Sequence, residues 1–172
     1  MIWSLVIETV AVALPSWPAM VTTGALAGLV AAVVMNWPMS RQPDGFTPAA
    51  IAAGVVSRQS FEDVSVLQLV VVHHAAGILA GVFYGVVVLG LAAGMPGVVL
   101  VGSIELLAHL LAVGLVVVFI YSFFAHFVLS WASGRAYEEQ STAIRGQWLR
   151  SSLVFGLTLA IVAPPIAASV AG

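Results

Sequence analysis

The chain has 172 residues, 62% of them hydrophobic and only 7% charged, with a formal net charge of −2 and no cysteine. A soluble domain carries about 25% charged residues to cover its surface, so this composition excludes a water-facing globule and leaves one surrounded by lipid. It also excludes a strongly basic nucleic-acid-binding face and any disulfide, thiolate metal site or iron–sulfur cluster.

The length suits one compact transmembrane domain, residues 1–172. Residues Met1 to Leu14 are apolar but interrupted by Glu8, with no basic start. That argues against a cleaved signal peptide and predicts an additional N-terminal interfacial helix, with a fifth, short span as the alternative. The first span is expected over 17–37. Its interior carries no charge, and Trp17 and Trp37 stand twenty residues apart, roughly 30 Å along a helix and about the thickness of the hydrocarbon. They read as interfacial anchors. Ser16 before Trp17-Pro18 is suited to cap the helix, and Asn36-Trp37-Pro38 to end it.

Residues 40–65 form a polar segment with Arg41, Asp44, Arg58, Glu62 and Asp63. Within it, Pro48 to Val56 is small and apolar and predicts a short interfacial helix. The second span is expected over 66–93, followed by a tight Gly94-Met95-Pro96-Gly97 turn. The third is expected over 98–131. As a single straight helix of about 34 residues it would measure roughly 50 Å, so it must tilt, bend near Gly114 or project past the lipid. A second polar loop, 133–146, precedes a fourth span over 147–168, which Pro164-Pro165 should break or kink near its end.

All five cationic residues are arginines, at positions 41, 58, 135, 145 and 150, in or beside the two polar segments. By the positive-inside rule both segments face the cytoplasm, and both termini face outward. The predicted fold is therefore all-α: a polytopic transmembrane four-helix bundle in the cell membrane. Gly24, Gly28 and Ala32 in the first span, and Gly77, Gly81 and Gly85 in the second, recur at four-residue steps. Each set makes a small-residue ridge suited to close helix packing, between these spans or with a second copy.

Ionisable groups inside spans are costly and mark functional candidates. Here they are His73, His74, Glu105 and His109, with His126 nearer an end. Glu105 and His109 share a face if their span is helical throughout. Counted from the outer turn, the groups form a staggered ladder. A bis-histidine haem b would draw on His73, His74, His109 or His126, but needs two of them at one depth. A proton or ion pathway through Glu105 and His109 tolerates the stagger, since water can bridge steps. The plainest reading makes the histidines neutral interhelical hydrogen-bonding groups, with no cofactor, no metal and no catalytic residue. No nucleotide-binding, metalloprotease or nucleophile-elbow motif is present.

The run Thr23-Gly24-Ala25-Leu26-Ala27-Gly28-Leu29-Val30 leading to Met35, the segment Pro48 to Arg58, and the stretch from His74 through Gly77 and Gly81 to Tyr84-Gly85 resemble uncharacterised prokaryotic membrane proteins of the YagU-like inner-membrane type. The resemblance implies a glycine-rich first span, a polar segment, a histidine-and-glycine second span and two further helices. It carries no activity. The expected function is a structural or accessory subunit, more readily non-enzymatic than enzymatic, acting through helix faces in the lipid bilayer as a homo-oligomer or within a larger membrane complex.

Overall fold

The computed structural model describes residues 15–95, 99–131 and 135–171. The expected N-terminal interfacial helix and the second half of the Gly94–Gly97 turn lie outside the described residues. The helices are α1 (Trp17–Ser40), α2 (Thr47–Ser57), α3 (Val66–Ala92), α4 (Leu106–Trp131) and α5 (Arg135–Ala171). Among the described residues, α1, α3, α4 and the Ser141–Val170 stretch of α5 are long and apolar enough to cross a membrane. Among the described residues the protein is all-α apart from one small hairpin.

The helix starts follow local chemistry. Ser16 accepts a hydrogen bond from the Ala19 amide at 3.4 Å, with proline in the first turn. Ser65 and Gln68 form a capping box at the start of α3, the serine hydroxyl on the Gln68 amide and the Gln68 carbonyl on the Ser65 amide. Together they satisfy two amides that the first turn would otherwise leave bare. Pro38 does not end α1, which continues to Ser40. Ser40 Oγ binds the Trp37 carbonyl at 2.8 Å, and Arg41 lies over the Trp37 ring at 5.6 Å.

The third apolar stretch departs most from expectation. Leu100–Val101 and Ile104–Glu105 pair as two antiparallel strands, β1 and β2, in place of the first turns of a helix. Gly102, at φ +64°, takes the first central position of the two-residue turn, where a side chain would be strained. A Cβ there would also meet the Pro164 carbonyl carbon at 3.1 Å, so the hairpin tip rests on α5. The excess length of this segment is thus taken up by a hairpin rather than by a bend at Gly114.

The second polar segment is likewise helical from Arg135 onward, and α5 passes through Pro164 and Pro165 to Ala171. It has no loop over 135–146 and no break at the prolines. Near its cytoplasm-predicted end α4 loosens into a π-helical stretch, Phe123–Val128.

Two apolar clusters hold the bundle. One joins Met20, Ala27 and Ala31 of α1 to Tyr84 and Val88 of α3, Ala112 and Val116 of α4, and Phe155 and Leu159 of α5. The other packs Ile51 of α2 under Ala125, Val128 and Leu129 of α4 and Trp148 of α5. Between α1 and α3 the backbones nearly touch. Gly24 faces Gly81, Gly28 faces Gly77 and Gly81, and Gly77 faces Ala32. A Cβ on Gly28 would come within 2.8 Å of the Gly81 Cα, and one on Gly81 within 2.8 Å of the Gly24 carbonyl carbon. Both obstacles are backbone, so neither can turn aside.

Gly81→Leu should therefore force α1 from α3 and cost about 1–3 kcal/mol or more, the penalty of overpacking a filled interior. Gly90→Ala and Gly114→Ala, where nothing lies within 4 Å of an added Cβ, should leave stability unchanged or slightly raised. Thermal unfolding of the detergent-purified variants checks both.

Candidate functional site

Proline has no amide hydrogen, so Pro164 deprives the Ala160 carbonyl of the donor that a helix supplies from four residues on. In an apolar interior an unpaired carbonyl costs several kcal/mol. His109 on α4 fills the vacancy, its Nε2 lying 3.0 Å from the Ala160 oxygen. A carbonyl can only accept, so Nε2 carries the proton and Nδ1 is left as an acceptor. The Tyr84 hydroxyl on α3 donates to Nδ1 at 2.6 Å. Tyr84 and His109 are 0% and 2% exposed, and their rings meet edge to face. One neutral imidazole thereby ties α3, α4 and α5 together with both its nitrogens used.

Glu105 is buried one turn away, yet it is the last residue of β2 rather than part of the helix. Its side chain caps α4, Oε2 accepting from the Ala108 amide at 2.6 Å. The positive end of the helix dipole favours a carboxylate at that place. The expected Glu105–His109 pairing is replaced by two separate bonds, because the hairpin takes Glu105 off the helical face that their spacing implied.

His73 Nε2 donates to the Ala32 carbonyl of α1 at 3.1 Å. His74 donates through Nδ1 to the Val70 carbonyl of its own helix at 2.7 Å, which leaves Nε2 to accept from Asn36 Nδ2 at 3.4 Å. These two histidines are brought together, edge to face, beside the far end of α1. Tyr84, which marks the His109 level, is eleven residues further along α3, roughly 16 Å. The residues between them on α3, Ala75 to Phe83, are all apolar. His126 is exposed on the π-helical stretch, edge-on to Tyr121. Among the described residues no group of three or more His, Asp or Glu side chains could hold a metal ion.

Three hydroxyls of α5 turn back onto their own helix: Ser152 to the Trp148 carbonyl, Thr158 to Val154 and Ser169 to Pro165, each within 2.9 Å. Such back-bonding lets hydroxyls sit in apolar surroundings without a partner helix. Thr23 is the exception: its Oγ1 is buried with no partner among the described residues. The residues that sequence reasoning missed are Tyr84 as the partner of His109 and Pro164 as the reason for it. A tandem proline inside an apolar run, with a lone histidine on another span, was the available signal. No protein-family model matches the chain, and no curated protein or solved structure is significantly similar to it.

His109→Ala should destabilise by about 1–3 kcal/mol, the cost of leaving buried polar groups unpaired. Pro164→Ala restores an amide facing Ala160, so His109→Ala should cost measurably less in that background. A double-mutant cycle of unfolding free energies reads the difference. Additivity within about 0.3–0.5 kcal/mol would show that the histidine does not serve the proline's carbonyl.

Proposed function

We propose that the chain is a multi-pass membrane protein that acts as a structural or accessory subunit, through the outward faces of its helices and without catalysis. The observation that carries this reading is the use made of the intramembrane histidines. His73, His74 and His109 each commit a ring N–H to a backbone carbonyl, two of them on a neighbouring helix. Side chains spent in this way act as glue between helices. Haem ligation through His109 would take one of its two bonded ring nitrogens, and through Nε2 it would remove the substitute donor for Ala160. A proton route from Glu105 would have to cross an apolar stretch of α3 before reaching His73.

The outward faces of α3 and α4 carry Leu67, Val71, Leu79, Leu107, Leu110 and Val118, all exposed. They are suited to lipid or to a partner helix. Gly114 on α4 leaves open space where a second helix can come close, which favours a homo-oligomer or a place in a larger complex. The two Arg-bearing segments meet, Arg150 Nη1 lying 3.4 Å from Gln42 Oε1. One end of the bundle therefore holds both, and the positive-inside rule makes that end cytoplasmic.

The chain has no cysteine, so a single introduced one reports its own side unambiguously. In intact cells an impermeant maleimide should label Gly94→Cys and spare Ser60→Cys until the membrane is opened. The reverse pattern would invert the proposed orientation. Protein purified from a haem-supplemented host should be colourless by pyridine haemochrome. A Soret band near one haem per chain that is lost in His109→Ala or His74→Ala would replace the accessory reading with a redox one.

A further inference from the structure

At the Arg-bearing end a cavity of about 250 Å³ opens between α1 and α5, lined by Pro38, Met39, Gln42, Gln147, Arg150 and Ser151 among others. A buried water needs only about 10–15 Å³ measured in this way, so the space suits something far larger. Its walls are short of partners. The hydrogen bond of Arg150 goes to the neutral Gln42 amide oxygen at 3.4 Å, and no carboxylate pairs with Arg150 among the described residues. Gln147 Oε1 is enclosed and has no donor among them. A second cavity of about 80 Å³ lies alongside. Met39 and Ser151 line both, while Met35, Ala76, Ala80, Phe124 and Phe155 make the second one apolar. The π-helical stretch begins at Phe123 and includes Phe124, one of that cavity's walls.

We propose that the two adjacent cavities, which share Met39 and Ser151 as walls, together form a binding site for one phosphatidylglycerol-type phospholipid of the Arg-bearing leaflet. This rests on the membrane placement proposed above. The phosphodiester takes the guanidinium of Arg150 and the hydroxyl of Ser151. A headgroup hydroxyl donates to Gln147 Oε1, the one wall group that asks for a donor rather than an anion. An acyl chain passes Met39 and enters the apolar cavity beside α3 and α4. The pairing of a cation, an orphaned acceptor and an adjoining apolar cavity favours this occupant over a zwitterionic lipid, which brings its own cation. It also favours it over a soluble phosphate, which has no use for the second cavity.

The test uses the full-length protein, purified and delipidated in a neutral detergent. A chain that stays soluble without detergent would overturn the membrane placement itself. Binding of dioleoyl-phosphatidylglycerol, dioleoyl-phosphatidic acid, dioleoyl-phosphatidylcholine and glycerol 1-phosphate is then followed by native mass spectrometry and by the shift in melting temperature. Phosphatidylglycerol should bind at least tenfold more tightly than phosphatidylcholine. Arg150→Gln should abolish that preference, and Gln147→Leu should bring phosphatidylglycerol down to the level of phosphatidic acid. Arg145→Gln, which alters an exposed arginine outside both cavities, should leave the preference intact. Ala80→Phe, which fills the apolar cavity, should weaken the lipid but not glycerol phosphate. The melting temperature of each lipid-free variant shows that it is folded. Equal loss in Arg145→Gln and Arg150→Gln would mean unspecific attraction to charge and would overturn the site. So would equal binding of phosphatidylcholine, or full displacement of the lipid by glycerol phosphate.

Discussion

A carbonyl in apolar surroundings must find its donor within the protein, and the Ala160 carbonyl shows how far this constraint extends. Pro164 removes the donor that the helix would have supplied. Helices in apolar surroundings keep their prolines only where a neighbour makes good the loss. Here the neighbour is His109, and its choice of tautomer recruits Tyr84 from a third helix. The helix that needs repair is thereby bonded to α4, and through His109 α4 is bonded to α3. The hairpin tip at Gly102 rests on the same proline. One missing amide hydrogen thus sets the local arrangement of α3, α4, α5 and the hairpin.

Elsewhere the bundle is held by the absence of side chains rather than by bonds between them. Lipid tails are as apolar as leucine, so apolar burial gives helices little reason to associate, and close van der Waals contact has to serve. The Gly24, Gly28 and Ala32 face of α1 against Gly77, Gly81 and Gly85 of α3 supplies it. His73 adds a bond across the same seam, to the Ala32 carbonyl. The opposite pair, α4 and α5, packs through larger side chains such as Val117 against Gly156. Toward the Arg-bearing end the packing opens. There α4 turns π-helical, α2 inserts Ile51 beneath the bundle, and two adjacent cavities lie between the helices.

Much of this was legible in the sequence because it is local. The capped start of α1 follows from Ser16 and Pro18, the short helix over Thr47–Ser57 from its proline and small apolar run, and the extent of α3 from its unbroken hydrophobicity. The third apolar stretch was misread for a physical reason. Apolar residues without polar alternation fit a helix and a buried strand equally well, and Val98 to Val101 offers no other cue. The Gly102-Ser103 pair was the only trace of a turn. The same error assigned Glu105 to the helical face of His109. Pro38 was read as a stop and Pro164-Pro165 as a break or kink because proline usually makes one, yet each lies within a continuing helix.

Composition and the placement of arginine, by themselves, determined the kind of solvent this chain can tolerate, the number of long apolar helices and which segments carry charge. These are sums over residues and need no knowledge of neighbours. The four-residue glycine steps were visible in the same way, as a face able to receive another backbone. Only the tertiary structure decided which backbone that is, which carbonyl each histidine serves and that Glu105 serves as a helix cap. It alone also showed Arg150 bonded to Gln42, with Gln147 lining the same cavity. Hydrogen bonds between helices depend on depth and rotation about each axis, and these are set by packing among all the helices at once.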